Sequence, residues 1–148
     1  MIYYAEKEGY SYYNLFSYRQ WIDTNKLSDL YVKINSILLK EKAQKVGPII
    51  SATHNTMLRK QQKWIDFEIL IPVDKQVESK DEFWMRDKFS LNHVLSVHVV
   101  DKNENMVNII NDLDGYIIKN HIIPKSPMYS ILNKEDNGIV DACLVLEM

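Results

Sequence analysis

The sequence predicts an α+β fold made of two β-α-β-β modules, each placing a helix on one side of an antiparallel sheet. The first observation behind this is a segment order that occurs twice, from Tyr10 to Val73 and again from Leu91 to Glu147. Its matched landmarks are Pro48-Ile-Ile-Ser51 with Ile65-Asp66, and Pro127-Met-Tyr-Ser130 with Val140-Asp141. The second is hydrophobic periodicity, which in each copy changes from a period of two to a helical period and back. The third is size: 148 residues with 46% hydrophobic and 26% charged content suit one domain, which buries about two-thirds of the surface its unfolded chain exposes. The repeat is imperfect, because proline and aspartate lie 18 residues apart in the first copy and 14 in the second.

In the first copy, residues 10–18 read as a strand in which Tyr12, Phe16 and Tyr18 alternate with Tyr13 and Leu15. Asp23 or Thr24 can cap a following helix by accepting an exposed backbone N–H. Leu27, Leu30, Ile34, Ile37 and Leu38 then form one helical stripe, opposite Lys26, Lys33 and Lys40. Gly47-Pro48 ends the helix, a strand follows over 49–55, and residues 54–63 read as a hairpin connection. The next strand is the clearest in the chain. Ile65, Phe67, Ile69, Ile71 and Val73 point one way; Trp64, Asp66, Glu68 and Leu70 point the other. Pro72 suits the far end of that strand or a sheet edge, where its missing donor costs little.

Residues 74–82 form a charged connection, and 83–89 fit either a short strand or a loop. The second copy opens with an apolar strand over 91–100, interrupted by His93 and His98. Met106, Ile110, Leu113 and Ile117 set its helix, with Gly115 inside it or near its end, where it weakens a helix by about 1 kcal/mol or permits close packing. Strands follow over 128–133 and 139–146, joined by a tight turn through Lys134-Glu-Asp-Asn-Gly138. The strand 139–146 suits either an internal place or an edge that pairs with a second subunit, so a homodimer stays open. Two loosely packed subdomains, or a ferredoxin-like sheet with an added strand, are the alternative architectures.

Net charge is −2, distributed as +3 over residues 1–75 and −5 over 76–148. No concentrated basic face exists for phosphates, which argues against direct nucleic-acid contact by this chain. No apolar run approaches the roughly 18 residues that span a bilayer, and no basic-then-apolar leader opens the chain, so the expected setting is cytoplasmic and off the membrane. Four glycines leave no phosphate-cradling loop, and four histidines show no metal-ligand spacing, so no cofactor is expected. Cys143, the single cysteine, reads as a small buried hydrophobe.

A duplicated half-domain that buries its apolar faces against its twin leaves a cleft on the pseudo-symmetry axis, where a site is expected. Glu68 is the sharpest candidate. It shares a strand face with Asp66 and Trp64. A carboxylate beside aromatic rings can pair with an organic cation while the rings stack on the cation's flat part. Trp21, Tyr18 and Tyr129 are further pocket-wall candidates, since a ring shapes an apolar wall and a phenol adds one hydrogen bond. On an exposed face Glu68 is instead a surface residue. As a desolvated base assisted by a tyrosine, it could serve hydrolysis. Ser51, Ser130 and Cys143 lack the glycine-rich elbow and nearby histidine of an activated nucleophile.

These modules resemble the GyrI-like effector-binding domain. The similarity spans nearly all of residues 1–148. It rests on the strand-to-helix entry from Tyr18 to Leu30, on Gly47-Pro48, on Asp66-Phe67-Glu68-Ile69-Leu70-Ile71-Pro72-Val73, and on Pro127-Met-Tyr-Ser-Ile-Leu-Asn133. The resemblance implies a curved, eight-stranded antiparallel sheet with two long helices flanking a cleft for flat, hydrophobic, often cationic compounds. Full-length regulators of the AraC and MerR types use such a domain to sense drugs. Stand-alone relatives include gyrase-inhibitory proteins, which act by protein interaction, drug-sequestering proteins and some hydrolases. Relatives often carry a binding glutamate in the penultimate strand of the second module. Here Ser130 occupies that place, which shifts the acidic role implied by the resemblance to Glu68. No helix-turn-helix lies within these residues, so DNA binding belongs to another part if the chain is a piece of a regulator.

Overall fold

The computed structural model describes residues 4–148. Six strands and two helices follow one another as β1 (Tyr4–Asp23), α1 (Leu27–Lys40), β2 (Ile49–Arg59), β3 (Gln62–Pro72), β4 (Phe83–Lys102), α2 (Met106–Lys119), β5 (Tyr129–Asp136) and β6 (Ile139–Glu147). A 3-10 turn precedes each helix, at Thr24–Lys26 and Asn103–Asn105. The chain divides into two compact units. One is Ser11–Ser90; the other contains Leu91–Met148 together with residues 4–10. No helix among the described residues is long and apolar enough to cross a membrane.

In the unit Ser11–Ser90, β3 lies between β1 and β2, antiparallel to both. Its face carrying Ile65, Phe67, Ile69 and Ile71 packs with Phe16 and Tyr18 of β1 and with Leu30, Ile34 and Leu38 of α1 into one core. The helical stripe therefore covers that face, with Leu27 and Ile37 half-buried at its margin. Asp23 starts the helical segment, its carboxylate accepting from the Asn25 N–H at 3.0 Å. In the other unit β6 lies between β4 and β5. There Leu95, Val97, Val99 and Leu144 pack with Ile109 and Leu113 of α2. Because β6 is hydrogen-bonded along both sides, it offers no edge for pairing with a second subunit.

The two copies keep one register over more than half their length. Asn14 and His93, Leu27 and Met106, Lys40 and Lys119, and Lys42 and His121 are each 79 residues apart. Asn14 and His93 both interrupt their strand at positive φ, as do Lys42 and His121 just beyond their helices. The bulge between Thr53 and Asn55 in β2 recurs between Leu132 and Lys134 in β5. Beyond the bulge each strand of the first hairpin is two residues longer, which accounts for the unequal proline-to-aspartate spacing. The hairpins close through Lys60-Gln61 and Asn137-Gly138, all four at positive φ, the turn conformation that matches the twist of paired strands.

Several expectations change. Among the described residues the strands number six, not eight, because β1 and β4 each continue for 20 residues through their positive-φ residue and supply a segment to both units. Residues 83–89 belong to β4. β2 extends to Arg59, so the expected connection over 54–63 shrinks to a two-residue turn. Pro72 takes the end of β3, a strand flanked on both sides. Gly115 lies within α2 with open space around it, so it permits no close packing.

Two glycines of one unit, Gly9 and Gly115, respond oppositely to alanine. Gly9 has φ of +147° and leaves a Cβ within 2.0 Å of the Leu91 carbonyl oxygen, whereas Gly115 has nothing within 4 Å. Gly115→Ala is expected to stabilise the protein by about 0.5–1 kcal/mol in denaturant unfolding. Gly9→Ala is expected to destabilise it by about 2 kcal/mol or more.

Candidate functional site

Cross-strand register assembles the site on the face of β3 opposite α1. Glu68 lies between Arg19 of β1 and Ala52 of β2; Asp66 lies between Trp21 and Asn55; Trp64 lies between Asp23 and Met57. At the inner end of this face Leu15, Ser17, Ile50 and Leu70 are fully buried. At the outer end Trp21 and Met57 are exposed and Trp64 is half-buried. The face thus grades from apolar interior, through two acids, to an aromatic rim.

Glu68 is buried, with only 5% of its surface exposed. A carboxylate this desolvated needs partners. The His54 Nε2 lies 2.9 Å from its Oε1, and the Arg86 Nη1 lies 3.8 Å from its Oε2. His54 falls at the β2 bulge, whose extra residue re-aims a side chain that strict alternation would direct elsewhere. Arg86 comes from the first part of β4, its Nε donating to the Lys88 carbonyl at 3.0 Å and its guanidinium centre 5.3 Å from the Phe89 ring. Glu68 is therefore neither the hydrated surface residue nor a bare cleft acid. It is the acidic centre of a buried polar cluster.

Asp66 forms a forked pair with Arg19: Nε donates to Oδ1 at 3.2 Å and Nη2 to Oδ2 at 3.1 Å, with Asn55 donating to Oδ2 at 3.4 Å. The Arg19 hydrogen bonds hold the Asp66 carboxyl below the usual carboxylate range, and Asn55 adds to them against the opposing effect of desolvation. Tyr18 lies on the other face of β1, in the helix-covered core, 5.5 Å from the Phe83 ring. Its phenol is pushed above its ordinary pKa, first by burial and then by Glu82. Tyr129 (buried) and Ser130 (half-buried) belong to β5 in the other unit. Of the candidates read from sequence, Trp21, Trp64, Asp66 and Glu68 share a face, and Tyr18, Tyr129 and Ser130 lie off it.

The equivalent face of the other unit carries His98, Val100, Asp141, Ile139 and Cys143 at the places of Arg19, Trp21, Asp66, Trp64 and Glu68. The His98 Nε2 lies 2.7 Å from the Asp141 Oδ1, so the cross-strand basic–acidic pair is repeated. An open surface cavity of about 540 Å³ lies here, lined by Val100, Lys134, Asp136, Asn137, Ile139 and Asp141. Cys143 is half-buried rather than the buried hydrophobe expected. Among the described residues no three His, Cys, Asp or Glu side chains come together as metal ligands.

Sequence reading missed Arg19, His54 and Arg86 as parts of the site. Arg19 could have been placed by pairing β1 with β3 in register, but His54 depends on a bulge and Arg86 on a strand that periodicity left undecided.

No protein-family model and no curated protein sequence matches the chain. Solved structures do match its fold. The C-terminal domain of EcmrR superposes with a TM-score of 0.73 at 12% identity, covering 99% of this chain and 96% of that one. EcmrR in its complex with DNA gives a TM-score of 0.70 at 12% identity; the whole of this chain spans 58% of that chain's length. A hydrolase from Listeria innocua gives a TM-score of 0.55 at 9% identity, covering 97% and 90% of the two chains. The chain thus has the fold of the EcmrR C-terminal domain.

The depressed pKa of Asp66 fixes the sign of its contribution with pH. Stability from the Arg19 pair is present above the unfolded carboxyl value of about 3.9 and fades as pH falls through the lower folded value. Arg19 is 44% exposed in its side chain, so solvent screening limits the effect. Asp66→Asn is expected to cost about 0.5–1 kcal/mol near neutrality in chemical unfolding, with the gap to wild type closing as acid protonates the folded-state carboxyl.

Proposed function

We propose that the chain is a GyrI-like effector-binding domain that recognises a flat, hydrophobic, cationic small molecule. It acts as the sensor part of a cytoplasmic transcription regulator or as a stand-alone drug-binding protein. The observation that carries this reading is Glu68, a buried carboxylate midway along a face whose outer end is aromatic. Burial weakens the solvent screening of its attraction for a cation. Trp21 and Trp64, diagonal neighbours across β1 and β3, offer ring faces for stacking on a flat ligand. The fold shared with the C-terminal domain of EcmrR, whose full chain forms a complex with DNA, supports a sensing role. In this reading DNA contact belongs to a part other than these residues, and neither a membrane nor a cofactor takes part.

A second reading is favoured by the His54–Glu68 contact of 2.9 Å. A carboxylate that orients an imidazole is one half of a hydrolytic centre, with His54 rather than Glu68 accepting the proton from water. The fold likeness to the Listeria innocua hydrolase is compatible with it.

Calorimetric titration with N-methylquinolinium, whose charge is independent of pH, tests the first reading against its neutral isostere 1-methylnaphthalene. Saturable binding of the cation is expected, at least about tenfold tighter than the isostere, and Glu68→Gln is expected to abolish that preference. Cation affinity unchanged by Glu68→Gln would remove the charge-pairing role. Absence of saturation across a panel of flat aromatic cations, together with p-nitrophenyl acetate turnover lost in both His54→Gln and Glu68→Gln, would favour hydrolysis instead.

A further inference from the structure

We infer that Arg86 is a built-in occupant of the cation position beside Glu68, which a ligand displaces on binding and which thereby sets the charge requirement of the site. This rests on the binding reading above and names the residue that tunes it. Arg86 already makes the contacts such a ligand would make. Its guanidinium is flat and delocalised, stands 5.3 Å from the Phe89 ring centroid, and faces a buried carboxylate. A planar cation between an acid and a ring is the arrangement an aromatic cation would adopt.

Contacts between basic and acidic side chains on this face differ in how firmly they are closed. Arg19 grips Asp66 with two hydrogen bonds at 3.1 and 3.2 Å, and His54 meets Glu68 at 2.9 Å. Arg86 approaches Glu68 only to 3.8 Å, beyond hydrogen-bond reach, and its side chain is 42% exposed against 6% for that of Glu68. The guanidinium therefore regains water readily if it swings out, whereas the carboxylate does not. A departing Arg86 takes one positive charge from beside that buried carboxylate, which is unfavourable unless another cation arrives. A positively charged ligand satisfies this condition and a neutral one of the same shape does not. Charge selectivity then follows from exchange of one cation for another rather than from an empty acidic pocket.

The test is calorimetry of Arg86→Gln and wild type with N-methylquinolinium and 1-methylnaphthalene. Arg86→Gln is expected to bind the cation at least fivefold more tightly than wild type, with no comparable gain for the isostere. Cation binding by the variant alone would also support the inference, with Arg86 closing the wild-type site outright. Equal or weaker cation binding by the variant would overturn the inference while leaving the binding reading intact. Binding by neither protein would overturn both. Should Arg86→Gln fail to fold, the Nε–Hε resonance of Arg86 in wild type, assigned by comparison with Arg86→Lys, gives the answer. A shift towards the solvent-exposed position on saturation with N-methylquinolinium is expected, and an unmoved resonance overturns displacement.

Discussion

A carboxylate removed from water must find positive charge or hydrogen-bond donors, and on this chain that requirement falls on Glu68. Its place in the middle of β3, a strand flanked by β1 and β2, leaves little of it accessible. Partners therefore have to come from the fold itself. β2 brings His54 through a bulge, and β4 brings Arg86 from beyond the charged connection. Neither residue is close to Glu68 in sequence; the sheet makes them neighbours. Satisfied in this way, the acid can occupy a face whose inner positions are otherwise apolar or uncharged. The same arrangement keeps a charged centre inside the unit Ser11–Ser90.

The duplicated frame sharpens this picture, because the two units differ where the candidate site lies. Helix, bulge and basic–acidic pair recur, with Arg19 and Asp66 in one unit and His98 and Asp141 in the other, whereas the Asp23 cap gives way to Lys102. Core positions also correspond, with Leu30 and Ile34 matching Ile109 and Leu113. On the opposite face the residues diverge. Glu68, Trp21 and Trp64 correspond to Cys143, Val100 and Ile139, and His54 corresponds to Asn133. The buried acid and both tryptophans are features of one unit alone. The repeated parts define a scaffold, and the unrepeated parts define its specialisation.

Much of that scaffold is legible in the sequence because it depends on local rules. The α1 stripe, the alternation along β3, the Asp23 cap and the Asn137-Gly138 turn each follow from spacing or turn chemistry within a few residues. Glu68 was also legible, with Asp66, as an acid in a strand otherwise fit for burial. Its surroundings were not. A bulge inserts one residue and changes which side chains share a face, so His54 reads from sequence as part of a hairpin connection. Residues 83–89 lack clear alternation, which hid the strand that carries Arg86. Tyr18 illustrates the converse limit. An aromatic residue has the same local signature in a core as on a pocket wall, and only its packing with Phe83 and α1 assigns it to the core.

The Glu68 carboxylate and the His54 imidazole act as one energetic unit inside the domain. A double-mutant cycle on unfolding free energy, with His54→Gln, Glu68→Gln and the pair, measures this directly. Coupling of about 1 kcal/mol or more is expected, since a buried charge-assisted hydrogen bond is lost once, by either substitution. Effects that add to within about 0.3 kcal/mol would mean that the two side chains are energetically independent and that Glu68 is not held by His54.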